Sequence, residues 1–329
     1  MLPLRISVAM CTYNGARYLP AQLQSIAAQI RQPDELVICD DKSDDATVSI
    51  AQDFARSAPF PVRIICNPTN IGSTKNFEQA IEACSGIVIT LCDQDDVWLP
   101  GKLVALASAF EQQPNIDVVF SDAMVVDASL NPLGYSLWKA IRFTSREQRM
   151  VRNSLAFEVL LRHNVVTGAT MAFRSDWRSL VLPMPEWDVH DRWIALLIAA
   201  AGNAHLIDEP LILYRQHEAN QIGGRRRDLA YRLRRPSGVA SRETKCILLE
   251  TEAIIVRLGE SGFSATHLGH IDALAIKQRH LLARDHYTSR TPGSILAFLG
   301  EIICGRYHRY SMGWPSVLHD LYKRLRDSE

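Results

Sequence analysis

Over the first 122 residues the chain alternates between two apolar periods. Short, nearly continuous apolar runs at Ile6–Met10, Glu35–Asp41, Val62–Cys66, Ile87–Cys92 and Val118–Asp122 have the composition of strands buried on both faces. Between them, Tyr18–Ala28, Thr74–Ala83 and Lys102–Gln112 place apolar residues at helical spacing. Asp44 and Asp45 stand where they can cap a further helix running to about Arg56. Strands alternating with helices of about ten residues predict βαβ crossovers and a mostly parallel sheet, an α/β fold with helices on both faces.

The polar residues matter most where the apolar runs stop. The fourth run, Ile87-Val-Ile-Thr-Leu-Cys92, is followed at once by Asp93, Asp95 and Asp96. A central strand cannot carry three unpaired carboxylates into a core. These acids are therefore expected just past the strand end, at the edge where open α/β sheets bind ligands. Converging carboxylates there suit a hard divalent cation bridging to substrate phosphates. Taken alone, Asp-x-Asp is equally consistent with a solvated turn before the helix that follows Pro100. The second run ends likewise in Asp40-Asp41, and the first runs into the polar turn Cys11-Thr-Tyr-Asn-Gly15.

Beyond residue 122 the periods are less regular. Thr167–Phe173 reads as a strand, Asp191–Ala201 as an apolar helix closed by Gly202, and His205–Ile207 and Leu211–Tyr214 as short strands completing the sheet. After Asn220 the character changes. Gly223-Gly-Arg-Arg-Arg227 reads as a basic linker, and from Arg242 onward the pattern is helical, with breaks at Pro292-Gly293 and Trp314-Pro315. The expected division is an α/β domain over 1–220 and a basic, mostly helical region over 221–329.

Composition is that of an ordinary globular protein, with 47% hydrophobic and 22% charged residues. The net charge is zero but unevenly spread: 18 basic against 25 acidic residues in 1–220, and 18 against 11 in 221–329. The basic part is expected to meet something anionic. No signal peptide is expected at Met1-Leu-Pro-Leu-Arg5, and no apolar run approaches the roughly 20 residues of a membrane-spanning helix. Seven cysteines without Cys-x-x-Cys argue against a disulfide framework or a zinc site, and Cys11, Cys39, Cys66 and Cys92 read as small buried apolar residues in a reducing cytosol. Neither Gly-x-Gly-x-x-Gly after the first strand nor Gly-x4-Gly-Lys-Ser/Thr occurs, which disfavours nicotinamide dehydrogenases and P-loop enzymes.

Cys11-Thr-Tyr-Asn-Gly15, Cys39-Asp-Asp41, Asn70-Ile-Gly72 and Asp93-Gln-Asp-Asp-Val-Trp98, in this order and spacing, together resemble a family 2 glycosyltransferase with the GT-A fold. The resemblance covers roughly residues 5–220. His190-Asp-Arg-Trp193 and Tyr214-Arg-Gln-His-Glu-Ala-Asn220 make it most similar to the rhamnosyltransferase-like branch, whose members use dTDP-L-rhamnose to build cell-surface polysaccharide. The resemblance implies an inverting, metal-dependent transfer of a sugar from a dTDP- or UDP-sugar to a glycan or lipid-linked acceptor.

It also implies residue roles. Thr12, Tyr13 and Asn14 would meet the nucleoside, and Asp41 would accept the N3–H of its base. Asn70, Gly72, Lys75 and Arg215 would lie along the diphosphate. Asp93 would hold ribose or a metal-bound water. Asp95 would bind Mg²⁺ or Mn²⁺, with His217 a further ligand, so that the departing diphosphate meets a Lewis acid. Asp191 would be the general base that takes the acceptor hydroxyl proton. Trp187 and Trp193 would face sugar rings, with Gly168 and Ala169 keeping an acceptor cleft open. Asp96 and His190 are expected to be structural, Asp96 as a cap for the following helix.

The basic C-terminal cluster, including Arg225–Arg227 and Tyr231–Arg235, accompanies no nucleic-acid module, and none is expected as partner. Ile295–Leu299 with Ile302-Ile303 and Arg306–Tyr310 suits an interfacial helix on anionic lipid at the inner face of the cytoplasmic membrane. Packing within the chain or a homodimer interface suits it equally. Two other function classes compete: a nucleotide-sugar-forming nucleotidyltransferase, which normally needs a basic Gly-rich loop after the first strand, and an inactive glycan-binding protein.

Overall fold

The computed structural model describes residues 4–187, 189–218, 237–260, 268–288 and 290–326. The chain divides into two compact units, Met1–Ala156 with Val165–Arg225, and Phe157–Asn164 with Arg226–Glu329.

The first unit is built on a nine-stranded sheet. In chain order its elements are β1 (Ile6–Thr12), α1 (Leu19–Ala27), β2 (Glu35–Asp40), α2 (Thr47–Ser57), β3 (Val62–Cys66), α3 (Ser73–Ala83), β4 (Val88–Cys92), β5 (Val97–Trp98), α4 (Lys102–Gln112), β6 (Val118–Val126) and β7 (Pro132–Ser136). There follow α5 (Leu137–Ala140), α6 (Ser145–Arg152), then α7 (Ala156–Arg162), nearly all of it in the second unit, and β8 (Met171–Arg174), α8 (Arg178–Val181), α9 (His190–Ala201) and β9 (Ala204–Arg215). Strand order is β3-β2-β1-β4-β8-β6-β9-β5, with β7 on β6. The first four strands pair in parallel, as do β6 and β9, whereas β8 runs antiparallel to both β4 and β6. This is the GT-A arrangement expected from the sequence.

The elements follow from the pattern. Every residue of β1 and β4 is buried, as strands covered on both faces require. Asp45 accepts a hydrogen bond from Thr47 N at 2.9 Å, so it supports the start of α2 from two residues before it. Leu19, Leu23 and Ile26 of α1 pack with Leu103, Leu106 and Phe110 of α4 and with the sheet residues Val8, Met10, Val88 and Cys92 in one apolar core.

Several local expectations are corrected. The expected strand at 167–173 begins only at Met171, because Gly168–Thr170 form a 3₁₀ turn. The two short strands expected after Gly202 are one strand, β9, whose pairing with β6 slips around Asp122. Cys11, Cys39 and Cys92 are buried, but Cys66 is exposed.

In the second unit, α10 (Ser237–Glu260), α11 (Leu268–Thr288), α12 (Ser294–Ile303), α13 (Arg306–Tyr310) and α14 (Trp314–Arg326) bear out a helical C-terminal region. The basic segments Arg225–Arg227 and Tyr231–Arg235 lie outside the described residues. Tyr287, Phe298, Tyr307 and Val317 form an apolar cluster of this unit. Beside it lies a buried polar network. Arg284 grips both oxygens of Asp320 at 2.7 and 2.9 Å, and the Tyr307 hydroxyl donates to Asp320 Oδ2 at 2.7 Å. Helix α7 belongs here: Phe157 stacks on His270 at 4.0 Å between ring centroids, and the buried Lys277 ammonium donates to Leu161 O at 2.5 Å.

Candidate active site

Because β2, β1 and β4 are adjacent and parallel, their carboxyl ends lie at one edge of the sheet. That edge gathers Thr12-Tyr13, Asp40-Asp41 and Asp93–Asp96, the topological crevice of an open α/β sheet.

The β1 turn is held from two sides. Tyr13 donates its N–H to Gln94 Oε1 at 2.8 Å and accepts from Gln94 Nε2 at 2.9 Å, a paired clasp across 81 residues. The Tyr13 ring stays 48% exposed. Asn14, at φ 47°, accepts from Asp44 N and donates its N–H to Ser43 Oγ, each at 2.9 Å. Thr12 is buried and donates to Asp40 Oδ2 at 2.7 Å. Asn14 and Thr12 thus frame the turn, and Tyr13 is the side chain it presents.

Asp41 organises the loop after β3. Its carboxylate accepts from Ile71 N at 2.8 Å, Asn67 Nδ2 at 3.0 Å and Gly72 N at 2.9 Å, while Asn70 Nδ2 donates to Asp41 O at 3.3 Å. Gly72 sits at φ 85° and ψ 156°, where a side chain would be strained. Lys75, expected at a diphosphate, is committed to Glu78 at 2.9 and 3.1 Å within the first turns of α3. Any phosphate role would require breaking that pair.

The acid cluster past β4 contains unlike members. Asp95 Oδ2 lies 2.7 Å from His217 Nε2, and Tyr18 stacks against the His217 ring at 4.6 Å. Asp96 is buried and does not cap α4 as expected. It accepts from Arg215 N at 2.9 Å, and its second oxygen has no hydrogen-bond partner among the described residues. Burial, then the charges of Asp95 and Asp93, push its pKa well up, so that it holds its proton more tightly. Asp93 is pushed up to about 7 by loss of solvation first, then by Asp95 and Asp191. This is the electrostatics of crowded, desolvated carboxylates, only partly offset by Lys102. Arg215, expected at the diphosphate, is instead a buried brace. Its guanidinium donates to Asp95 O at 2.6 Å and to Ala128 O at 2.7 Å and lies over Tyr18 at 4.6 Å.

A divalent ion tests this donor set. Asp95 and His217 already converge at bonding distance of one another, and Mg²⁺-type ions take one or two protein ligands, with phosphates and water completing the shell. Asp93 does not complete a three-ligand group with them: among the described residues no group of three or more His, Cys, Asp or Glu stands ready for a metal. The pair therefore fits an ion that arrives with substrate oxygens rather than one held in a protein cage.

Asp191 occupies the first turn of α9, where the helix dipole favours a carboxylate, and its Oδ2 accepts from Gly168 N at 3.3 Å. Its charge is felt at Asp93, so the expected base and the acid cluster share one site. Three acceptor-side expectations change. Trp193 is 1% exposed and donates its indole N–H to Val181 O at 2.8 Å, so it is core. Gly168 and Ala169 are buried. A Cβ at Gly168 would lie 2.6 Å from His190 Nε2, so the glycine is there to admit that ring. Trp187 remains 40% exposed. His190, expected to be structural, is buried and stacks on Phe77 at 4.0 Å.

Two participants were missed in the sequence. Gln94, given no role of its own within the acid motif, fastens the β1 turn. Lys102, expected only as the start of a helix, is fully buried. Its ammonium donates to Ala169 O at 2.6 Å and sits 3.9 Å from the Trp98 ring centroid, and burial pulls it down to about 8. It lies under the acids as their fixed counter-charge, since the charges of Asp96 and Asp93 act on it in the opposite direction.

Residues 7–161 match the family model for glycosyl transferase family 2. An uncharacterized protein of Mycobacterium tuberculosis is 28% identical over 225 residues, covering 64% of this chain and 59% of that protein, so the chain spans about three fifths of that relative's length. An uncharacterized glycosyltransferase of Nostoc sp. is 28% identical, covering 66% of each chain. The dTDP-rhamnosyl transferase RfbG of Shigella flexneri is 26% identical, covering 65% of this chain and 73% of RfbG. Among solved structures, S. aureus TarS 1-349 superimposes with TM-score 0.58 at 16% identity, covering 99% of this chain and 92% of that one. The mannosyltransferase PcManGT of Pyrobaculum calidifontis, solved with GDP-Man and Mn²⁺, does so with TM-score 0.54 at 16% identity, covering 100% and 89%. These two share the fold. With the acid cluster and its supporting loops in place, residues 7–161 are similar to glycosyl transferase family 2, on a sheet of the GT-A arrangement.

Proposed function

We propose that the chain transfers a sugar from a nucleotide-sugar donor to a hydroxyl of a glycan or lipid-linked acceptor, with inversion and with Mg²⁺ or Mn²⁺ as cofactor. The observation that carries this reading is the Asp95–His217 pair with Asp93 just past the carboxyl end of β4, where the charge of Asp191 at the start of α9 is also felt.

Tyr13 offers the nucleoside an exposed ring on a clasped backbone. Asp41 Oδ2 accepts one hydrogen bond, from Gly72 N, and its second lone pair suits the N3–H of uracil or thymine. Asp95 and His217 would hold the ion, which when bound neutralises charge on the leaving diphosphate. Asp93 would hold the ribose or a metal-bound water. Asp191, oriented by Gly168 N, takes the proton of the attacking hydroxyl, and Trp187 gives the acceptor sugar a flat face.

The donor proposed is dTDP-L-rhamnose. Its support is the likeness to RfbG, together with the Asp93-Gln-Asp-Asp-Val-Trp98 and His190-Asp-Arg-Trp193 segments that resemble the rhamnosyltransferase-like branch. A UDP-hexose is the second reading, favoured by the fold likeness to TarS, one structure of which holds UDP-GlcNAc. Hydrolysis of a panel of nucleotide sugars by the purified protein decides. Turnover of dTDP-L-rhamnose above the UDP-sugars is expected. Preference for a UDP-hexose replaces the donor, and no turnover of any sugar nucleotide with either metal refutes the transferase reading.

A further inference from the structure

Helices α12 and α14 of the second unit each bury one face and leave the other apolar and in solvent. On α12, Phe298 enters the aromatic cluster with Tyr287, Tyr307 and Val317, with Ile302 packed against it. On the far side, Ile295, Leu296, Leu299 and Ile303 are 54, 78, 46 and 83% exposed. On α14, Val317 and Asp320 face inward, whereas Trp314, Leu318 and Leu325 are 58, 54 and 70% exposed. Their spacings, i, i+4 and i+8 on α12 and i, i+4 and i+11 on α14, put each set on one helical stripe. The helices are neighbours: Arg324 Nη1 donates to Ser294 Oγ at 3.1 Å. Single exposed apolar residues need no explanation, but two adjoining stripes do.

Charge chooses the occupant. Between residues 290 and 326 there are six cations, Arg290, Arg306, Arg309, Lys323, Arg324 and Arg326, none of them buried. The two acids in that span, Glu301 and Asp320, are both buried, Glu301 against His280 and Arg306 and Asp320 against Arg284. The solvent side of this stretch therefore carries charge of one sign only. A second copy meeting the same face would set cations against cations, so an isologous dimer is disfavoured. Apolar ridges rimmed only by cations match an anionic lipid surface, where side chains enter the headgroup boundary and Lys and Arg stay with the phosphates. A ten-residue helix is about 15 Å long, and among the described residues no helix is long and apolar enough to cross a membrane. The contact is accordingly in-plane.

We propose that the exposed faces of α12 and α14 dock the protein on anionic lipid bilayers. The inference does not depend on the transferase reading, because its readout is binding rather than turnover.

The test uses the full chain with two sets of vesicles, phosphatidylcholine alone and phosphatidylcholine containing phosphatidylglycerol, in flotation assays. Preferential binding to the anionic vesicles, weakened by salt, is expected. Ile303→Glu with Leu325→Glu, both at well-exposed positions, should reduce that binding at least tenfold, with donor hydrolysis and the melting curve unchanged. Arg309→Glu with Arg326→Glu should do the same. Cys304 is exposed at the end of α12. A polarity-sensitive dye there should blue-shift on the anionic vesicles. Equal binding to both vesicle types, absence of binding, or binding indifferent to both variant pairs overturns the proposal. So does a dimer that the apolar variants dissociate while vesicle binding persists.

Discussion

Asp95 Oδ2 and His217 Nε2 stand 2.7 Å apart although 122 residues separate them in the chain. The fold closes that gap by running β9 up to the edge at which β4 ends. Arg215 ties the two ends together, bonding through its backbone N–H to Asp96 and through its side chain to Asp95 O. If this pair receives the ion, Asp95→Ala and His217→Ala should each lower transfer by about a hundredfold or more, the loss of several kcal/mol of charge stabilisation. A chelator should silence the wild type, and Mn²⁺ or Mg²⁺ should restore it. Full activity in excess chelator would dismiss the metal.

Asp191 accepts a long hydrogen bond from Gly168 N. Asp191→Asn keeps the shape and the acceptor oxygen but removes the base. Its turnover should fall by roughly 10²–10⁴-fold, with KM for donor and the melting temperature close to wild type. Unchanged turnover would transfer the role to another group.

Gly168 has no room for a methyl group, because His190 Nε2 fills the space. Gly168→Ala should cost about 1–3 kcal/mol, as overpacking in a closed site does, and should move the N–H that orients Asp191. Adding His190→Ala opens the space, so the double variant should recover part of the melting temperature. Additive losses in the two variants would contradict the proposed clash.

His190 also sets an acid limit. Burial holds its imidazole neutral, with its pKa pulled down to about 3. An unfolded histidine protonates near 6.5, so below that pH the unfolded chain binds more protons than the folded one, and stability falls until the folded ring titrates too. Between pH 6.5 and 4 the loss should reach roughly 3 kcal/mol. His190→Phe preserves the stack on Phe77 and should flatten this dependence, which urea melts at pH 7 and pH 4.5 can read. Parallel pH curves for the two proteins would remove His190 as the cause.

The sequence made the strands around the site legible because they are buried on both faces and their apolar runs are unbroken, as in β1 and β4. Strand β7 escaped because Pro132, Leu133 and Gly134 are exposed and form no run, and β5 because it has two residues. Acids at strand ends could be placed because burying them unpaired is costly. Roles that depend on direction could not. Trp193 and Trp187 flank Asp191 alike in sequence, but α9 is buried nearly all round and takes Trp193 inward, leaving Trp187 outside. Lys75 is expected at the diphosphate, and Lys102 only as the start of a helix. Only the folded chain shows one paired with Glu78 and the other sealed beneath the acids. His217, expected as a ligand from its segment, stands against Asp95, whereas Arg215, in the same segment, is a brace.

Helix α7 has a consequence for dissecting the molecule. The chain leaves the sheet-bearing unit at Phe157, packs with the helical one through His270 and Lys277, and returns at Val165. Stopping translation after residue 220 would strand those eight residues without their cover, baring Phe157 and the Leu161 carbonyl to water. Such a fragment should be sticky and short-lived for reasons unrelated to catalysis, and its silence in an assay would say nothing about what the missing helices do.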